Sequence, residues 1–199
     1  MSTVCRQVGL PAVTLELVTT PREQILSTAV RLFFTQGYTQ TGINQLIESS
    51  AVAKRTFYHH FASKESLGVA YLDFASAQWL AGLRASVQGR RSVQGMARAL
   101  FEHVEQFALA TQFRGCGVLN MAAEFADAES EVRARVSLHK DAQRALLREL
   151  FAQVNGSPAH ADVTHILIEG AIAGAAGHRD VWPIRAAAHA AVAVLVTDR

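Results

Sequence analysis

Arg55-Thr56-Phe57-Tyr58-His59-His60-Phe61, running straight into Ala62-Ser63-Lys64-Glu65-Ser66-Leu67, is the stretch on which the fold of this chain turns. At about 3.6 residues per turn, Lys54, Arg55, Tyr58 and His59 share one side of a helix, and each can meet an anion or a base edge. Ala53, Phe57 and Phe61 fall on the other side, where they can seal the helix onto a small core. The major groove of DNA admits a helix with a dry back and a cationic, aromatic, hydrogen-bonding front. The pattern predicts a helix that faces DNA.

Working outward, the segments before it read as two more helices. Thr20 is placed to be an N-cap, Pro21 takes the first helical position and Glu23 completes a capping box. Ile25, Leu26, Ala29, Leu32 and Phe33 then recur at three- and four-residue spacing, and Gly37 stops the helix. A short second helix is expected from near Thr41 to about Ser50, with Ile43, Leu46 and Ile47 inward. A tight turn at Ala51-Val52 leads into the third, Ala53 to about His60, and Ser63 caps a long fourth from Lys64 to roughly Arg84. Residues 1–19 show neither helical nor strand period and are expected to form a flexible arm.

These positions together resemble the DNA-binding domain of TetR/AcrR-family transcriptional regulators. The resemblance rests on I-L-x-x-A-x-x-L-F from Ile25 to Phe33, Gly37-Tyr38 and Thr41-x-Ile43. It continues through Ala51-Val52-x-Lys54-x-Thr56-Phe57-Tyr58-x-His60-Phe61 and Ser63-Lys64-Glu65-x-Leu67. It covers under a third of the chain. It implies an all-α fold, with a three-helix helix-turn-helix head over residues 20–66 (the motif itself about 42–61). A larger helical body, 67–199, would bind an effector and dimerise.

Physical chemistry gives each head residue a task. Thr41 is expected to cap the second helix and donate to a phosphate at its N-terminus. Lys54 and Arg55 open the third helix, the end that reaches base edges, and Arg55 can grip guanine in bidentate fashion. Tyr58 offers a rigid hydroxyl, which in the family commonly meets the backbone phosphate, and His59 lies one turn beyond Arg55. Thr56, on the flank of the helix, is included in the contact set. His60, on the same flank, is expected to make a structural hydrogen bond within the head. Lys64 can hold a phosphate at the start of the fourth helix. The chain also departs from the family pattern. Ala51 stands at a turn usually made by glycine, Ala53 replaces a hydroxyl-bearing cap, and Arg55 occupies a common glycine position. The expected result is an unusual operator preference.

Beyond Gly89 the chain reads as Ala-rich amphipathic helices at about 92–112, 117–126, 129–153, 160–177 and 183–197. Trp79, Phe101, Phe107, Met121 and Phe125, with Leu119 and Leu138, are expected to line a largely apolar effector cavity. His103, Asn120 and His139 would be its polar handles. Gly170, Ala173 and Gly174, then Ala187, Ala190, Ala191 and Val194, are small or apolar at helical spacing. They suit close pairing of two helices with their copies in a homodimer.

The bulk properties agree. Half of the 199 residues are apolar, enough for a sound core. Net charge is +2, yet the segment up to Lys64 holds six basic residues against three acidic ones, so the positive excess sits with the proposed DNA-facing head. Cys5 and Cys116 lack metal-ligand spacing and read as reduced thiols. No signal peptide and no apolar run of about 20 residues is visible, so a cytoplasmic protein is expected. No catalytic constellation, metal site or cofactor is expected. The leading expectation is a repressor that binds a palindromic operator as a homodimer and is released by a small molecule. The rivals are a helical enzyme and a scaffold whose head no longer reads DNA.

Overall fold

The computed structural model describes residues 20–125, 127 and 129–197. The arm at 1–19, with Cys5 and Arg6, lies outside them. Among the described residues the chain is all-α. The helices are α1 (Pro21–Gln36), α2 (Ile43–Ser49), α3 (Lys54–His60), α4 (Lys64–Ser86), α5 (Val93–Ala110), α6 (Gly117–Ala123), α7 (Glu131–Ala152), α8 (Pro158–His178) and α9 (Trp182–Thr197). No described helix is long and apolar enough to cross a membrane.

The start signals act as the residues dictate. The Thr20 backbone N–H donates to Glu23 Oε2 at 2.8 Å, and the Glu23 N–H donates back to the Thr20 hydroxyl at 3.3 Å. Ser63 and Ser66 cap α4 in the same reciprocal way, at 3.1 and 3.0 Å. At α8 the expectation was two residues late. Pro158 is already helical, and Ser157 pairs with His160 in a capping box, a role sequence rules usually give to Glu or Gln. Helix two begins at Ile43 instead of Thr41: Gly42 is its cap and supplies no side-chain bond. Ala51 adopts φ of 53°, the left-handed turn that its glycine-like position called for.

The chain divides into two compact units, at places composition did not indicate. The first holds the described residues through Ala77 together with Gly117–Leu138; the second holds Gln78–Cys116 and His139 onward. The first unit includes α6. The reason is packing. Met121 is 2% exposed, and a Cβ on Gly68 would come 2.5 Å from its Cε. Gly117 likewise allows Tyr71 and Phe34 to approach the backbone of α6. The core of this unit is Ile25, Leu32, Phe33, Leu46, Phe57, Phe61, Leu67 and Leu72, all buried.

In the second unit α9 packs chiefly on α8 and α5, and α8 also meets α5. Leu83, Leu100, Val104, Leu147, Phe151 and Ile168 are fully buried at its centre. Each such side chain contributes about 1.5–3 kcal/mol by leaving water. Gly174 admits Pro183, whose Cβ would lie 2.9 Å from an added methyl, so α8 and α9 close tightly within the chain.

Candidate nucleic-acid interface

α3 separates its residues as its periodicity requires. Phe57 is 0% and Phe61 4% exposed, and their rings lie 6.4 Å apart on the inner side. Arg22 extends its guanidinium over the Phe61 ring at 5.3 Å, which closes the base of the head. Lys54, Arg55, Tyr58 and His59 are exposed on the outer side, while Thr56 and His60 are half-buried on the flanks. The Tyr58 ring rests edge-on against Phe57 at 5.6 Å with 42% of the residue exposed. Its stem is thereby braced while its face remains in solvent. The helix N-terminus carries Lys54 and Arg55 and no side-chain cap, because Ala53 cannot supply one. Ala53 is itself exposed, not part of the sealed face, since it precedes the first helical turn.

Two expected phosphate contacts are arranged differently. Thr41 is 0% exposed, and its hydroxyl donates to the Gly37 carbonyl at 2.7 Å. It closes the turn between α1 and α2 from inside and is neither a cap nor a surface donor. Lys64 is half-buried, with Nζ 4.1 Å from the centre of the Tyr38 ring. Burial lowers its pKa, and the nearby carboxylate of Glu124 pulls the other way. The ammonium rests against the Tyr38 ring while the residue stays partly exposed at the start of α4.

Tyr38 also stacks against Phe33 at 5.2 Å and Phe125 at 4.9 Å. Glu124 accepts hydrogen bonds from the backbone N–H groups of Tyr38, at 2.9 Å, and of Thr39. Burial pushes the Glu124 carboxyl up, but the Thr39 and Tyr38 bonds and Lys64 outweigh it and hold the group below the usual carboxylate range. Sequence reasoning missed this contact because its partners lie 86 and 85 positions apart and no local period links them.

The residues expected to line one effector cavity are not gathered as a set. Asn120, Met121 and Phe125 belong to the first unit. Asn120 is exposed, Met121 is packed on Gly68 and Phe125 is stacked on Tyr38. Leu119 and Leu138 are exposed. In the second unit, Trp79 does meet His103 at 5.5 Å and Phe107 at 5.1 Å. Gly82 makes room for this His103, whose Nε2 would lie 2.6 Å from an added Cβ. Phe101 is 2% exposed and forms the floor of a groove of about 600 Å³ between α5 and α9, with Ile184, Ala188 and Val192. Arg98, Glu102, Glu105, Arg185, His189 and Ala193 complete its lining.

A polar network that periodicity could not reveal surrounds Gln143, which is 1% exposed. Indole N–H groups only donate, so the Trp79 bond of 2.6 Å places the Gln143 oxygen toward Trp79. The Gln143 amide nitrogen then faces His165 Nδ1 at 2.9 Å and Glu169 Oε1 at 3.0 Å. His165 Nδ1 must therefore accept, leaving the ring proton on Nε2. Lys140 completes the set with a 2.7 Å ion pair to Glu169. Burial is the largest cause lowering the pKa of His103, His165 and His139, the last to about 4. Neutral imidazoles and one compensated ion pair thus occupy this interior.

Of the residues expected in a dimer interface, Gly170, Ala173, Ala190 and Val194 are exposed, and Ala187 is partly so. Ala191 is 0% exposed and belongs to the core, and Gly174 faces Pro183 of the same chain. A Cβ on Gly170 or Gly177 would meet nothing within 4 Å, so the chain's own packing does not require either to be small. Ile166 continues this stripe at 66% exposure.

Comparison with known proteins adds independent findings. Residues 25–71 match the family described as bacterial regulatory proteins, tetR family. The HTH-type transcriptional repressor NemR of Escherichia coli K12 is 30% identical over 141 residues, covering 70% of this chain and 70% of that protein. The HTH-type transcriptional regulator TcmR of Streptomyces glaucescens is 36% identical over 78 residues, 39% of this chain and 34% of that one. Among solved structures, SCO4454, a TetR-family transcriptional regulator from Streptomyces coelicolor, superposes with a TM-score of 0.78 at 30% identity, over 88% of this chain and 94% of that one. The reduced form of E. coli NemR superposes with a TM-score of 0.74 at 27% identity, over 86% and 95%.

Proposed function

This chain belongs to the tetR family of bacterial regulatory proteins, and from that premise we propose that it represses transcription by binding a palindromic operator as a homodimer and lets go when a small molecule binds. DNA binding by the first unit is the family's shared property. The observation that carries the reading for this chain is the outer face of α3, where Lys54, Arg55, Tyr58 and His59 stand exposed over a sealed Phe57–Phe61 back. Arg55 is the residue we assign to a base edge, Lys54 and His59 to phosphate or base, and Tyr58 to phosphate. Thr56 lies beside them on the flank. Thr41 supports the head from within, and Lys64, partly exposed beside the Tyr38 ring, is assigned to phosphate.

Dimerisation is the second element of the proposal. The exposed stripe of Ile166, Gly170, Ala173 and Gly177 on α8, with Ala190 and Val194 on α9, is apolar and small, which suits close helix pairing about a two-fold axis. A dimer would offer two α3 helices to half-sites about 34–36 Å apart or a multiple of that. Release by an effector follows if the ligand favours a conformation with a different spacing, and its effect cannot exceed its differential affinity for the two states. α4 runs unbroken from Lys64 to Ser86 and is suited to carry such a change between sequence regions. The effector we propose is a largely apolar small molecule.

Gel shifts with DNA from upstream of the gene test the reading, comparing wild type with Arg55→Ala and Tyr58→Ala. Sequence-selective binding by wild type, weakened in both variants, is the expected result. Binding that is equal on every sequence and merely salt-sensitive overturns it in favour of a scaffold. Sedimentation of Ala173→Arg tests the dimer, with a shift to monomer expected.

A further inference from the structure

The turn between α1 and α2 is held from outside the three-helix head. Within it, the Thr41 N–H donates to the Tyr38 carbonyl at 3.1 Å, and the Thr41 hydroxyl donates to the Gly37 carbonyl. The N–H groups of Tyr38 and Thr39 point to the two oxygens of Glu124. Gly37 makes the approach possible. Its φ is 96°, and a Cβ there would stand 2.9 Å from Glu124 Oε1. The Tyr38 side chain is fixed between Phe33 and Phe125, beneath Lys64. Lys64 and Glu124 also attract each other electrostatically. Two backbone amides, one ring and one cation therefore converge on the short segment that follows α6.

This turn sets where α2 begins, and α2 leads through the left-handed Ala51 into α3. A shift at Tyr38 is transmitted to the helix that carries Arg55, because the connections are short and α2 and α3 both pack on α1. The segment bearing Glu124 is reached from α5 through Gln112, Phe113 and Gly115, at φ of 52°, 60° and 81°.

We propose that Glu124 is a positioning residue for operator binding: its carboxylate latches the Tyr38 and Thr39 amides and so sets the pose of α2 and α3. The proposal rests on the DNA-binding reading above and adds to it a regulatory contact supplied by the sequence region after α6. Glu124 touches no DNA in this scheme and acts only through the turn.

The test uses the full chain with Glu124 intact, Glu124→Gln and Glu124→Ala. The DNA probes are a duplex enriched from a random pool by the wild-type protein and a scrambled duplex of equal length at the same salt. Glu124→Ala is expected to bind the enriched duplex about tenfold more weakly and the scrambled one unchanged. Glu124→Gln, which keeps one acceptor oxygen, is expected to fall between. Hydrogen exchange at the Tyr38 and Thr39 amides should quicken in the same order, with the thermal midpoint preserved in Glu124→Gln. Unchanged exchange at both amides, or unchanged affinity for the enriched duplex in Glu124→Ala, overturns the latch. So does an equal loss on both duplexes by both variants, which marks a merely structural role. If the wild type enriches no sequence at all, the DNA-binding reading itself fails and the latch with it.

Discussion

In α3 the residues assigned to DNA lie within six positions of one another, whereas the network around Gln143 gathers side chains from positions 79, 140, 143, 165 and 169. The first is a surface made by one helical turn and a half, and the second is an interior made by bringing three helices together. This difference accounts for how each can fail. The α3 surface depends on a small apolar back, so one cavity beneath it removes the whole face. The Gln143 interior depends on protonation and hydrogen-bond direction, so pH and isosteric changes reach it while packing stays intact.

The largest effect that can test this contrast is Phe57→Ala. A fully buried aromatic ring replaced by a methyl costs about 3–5 kcal/mol, and the loss should fall on the first unit. Both tryptophans, Trp79 and Trp182, lie in the second unit. Hydrogen exchange over residues 20–77 should accelerate while tryptophan emission persists to higher denaturant. Coincident loss of both signals would show that the two regions are not separable in this way.

The next effect belongs to the interior. His139 has its pKa lowered from 6.5 to about 4, first by burial and next by Lys140. The unfolded chain then takes up a proton that the folded chain refuses. The stability from this group is complete above about pH 6.5 and is lost as pH falls toward 4, by up to about 3 kcal/mol. His103 and His165, also lowered, act in the same sense. Urea unfolding between pH 7 and 4 should show a shallower decline for His139→Gln than for wild type, and parallel curves would remove His139 from the account.

Arg55→Ala sharpens the comparison from the other side. Operator affinity should fall roughly tenfold to a hundredfold, from about 1–3 kcal/mol of base discrimination, with no change in the melting temperature. The smallest effect expected is a gain. Ala51 sits at φ of 53°, where glycine avoids the Cβ clash, so Ala51→Gly should stabilise the first unit by about 0.5–1 kcal/mol after the added freedom of the unfolded chain is offset. Thermal melts and gel shifts of this variant together should show a firmer head with the same operator affinity.

Particular residues mark where sequence reading succeeded. Thr20, Pro21 and Glu23 announced α1 because a capping box is a contact over three positions. Phe57 and Tyr58 declared opposite faces because helical geometry alone separates neighbours by about 100°. Thr41 was misplaced because a polar residue near a helix start is usually exposed, whereas here the Gly37 carbonyl, within the same turn, draws its hydroxyl inward. Lys64 lies against the Tyr38 ring, a contact between distant positions that no local period announces. Met121 and Phe125 read as body residues because they follow the head by some fifty positions, yet they pack with Gly68 and Tyr38.

What the amino-acid order determined on its own is whatever acts over one or two helical turns. That covers the helices, their caps, the left-handed turn at Ala51 and the two faces of α3, since these energies depend on neighbours a few residues away. Only the tertiary structure decided that Glu124 would reach the Tyr38 and Thr39 amides, that α6 would pack with the first unit, and that Gln143 would join Trp79 to His165 and Glu169. Hydrogen bonds and packing contacts between distant positions leave no period in the chain, because their partners are chosen by which surfaces meet once the helices have formed.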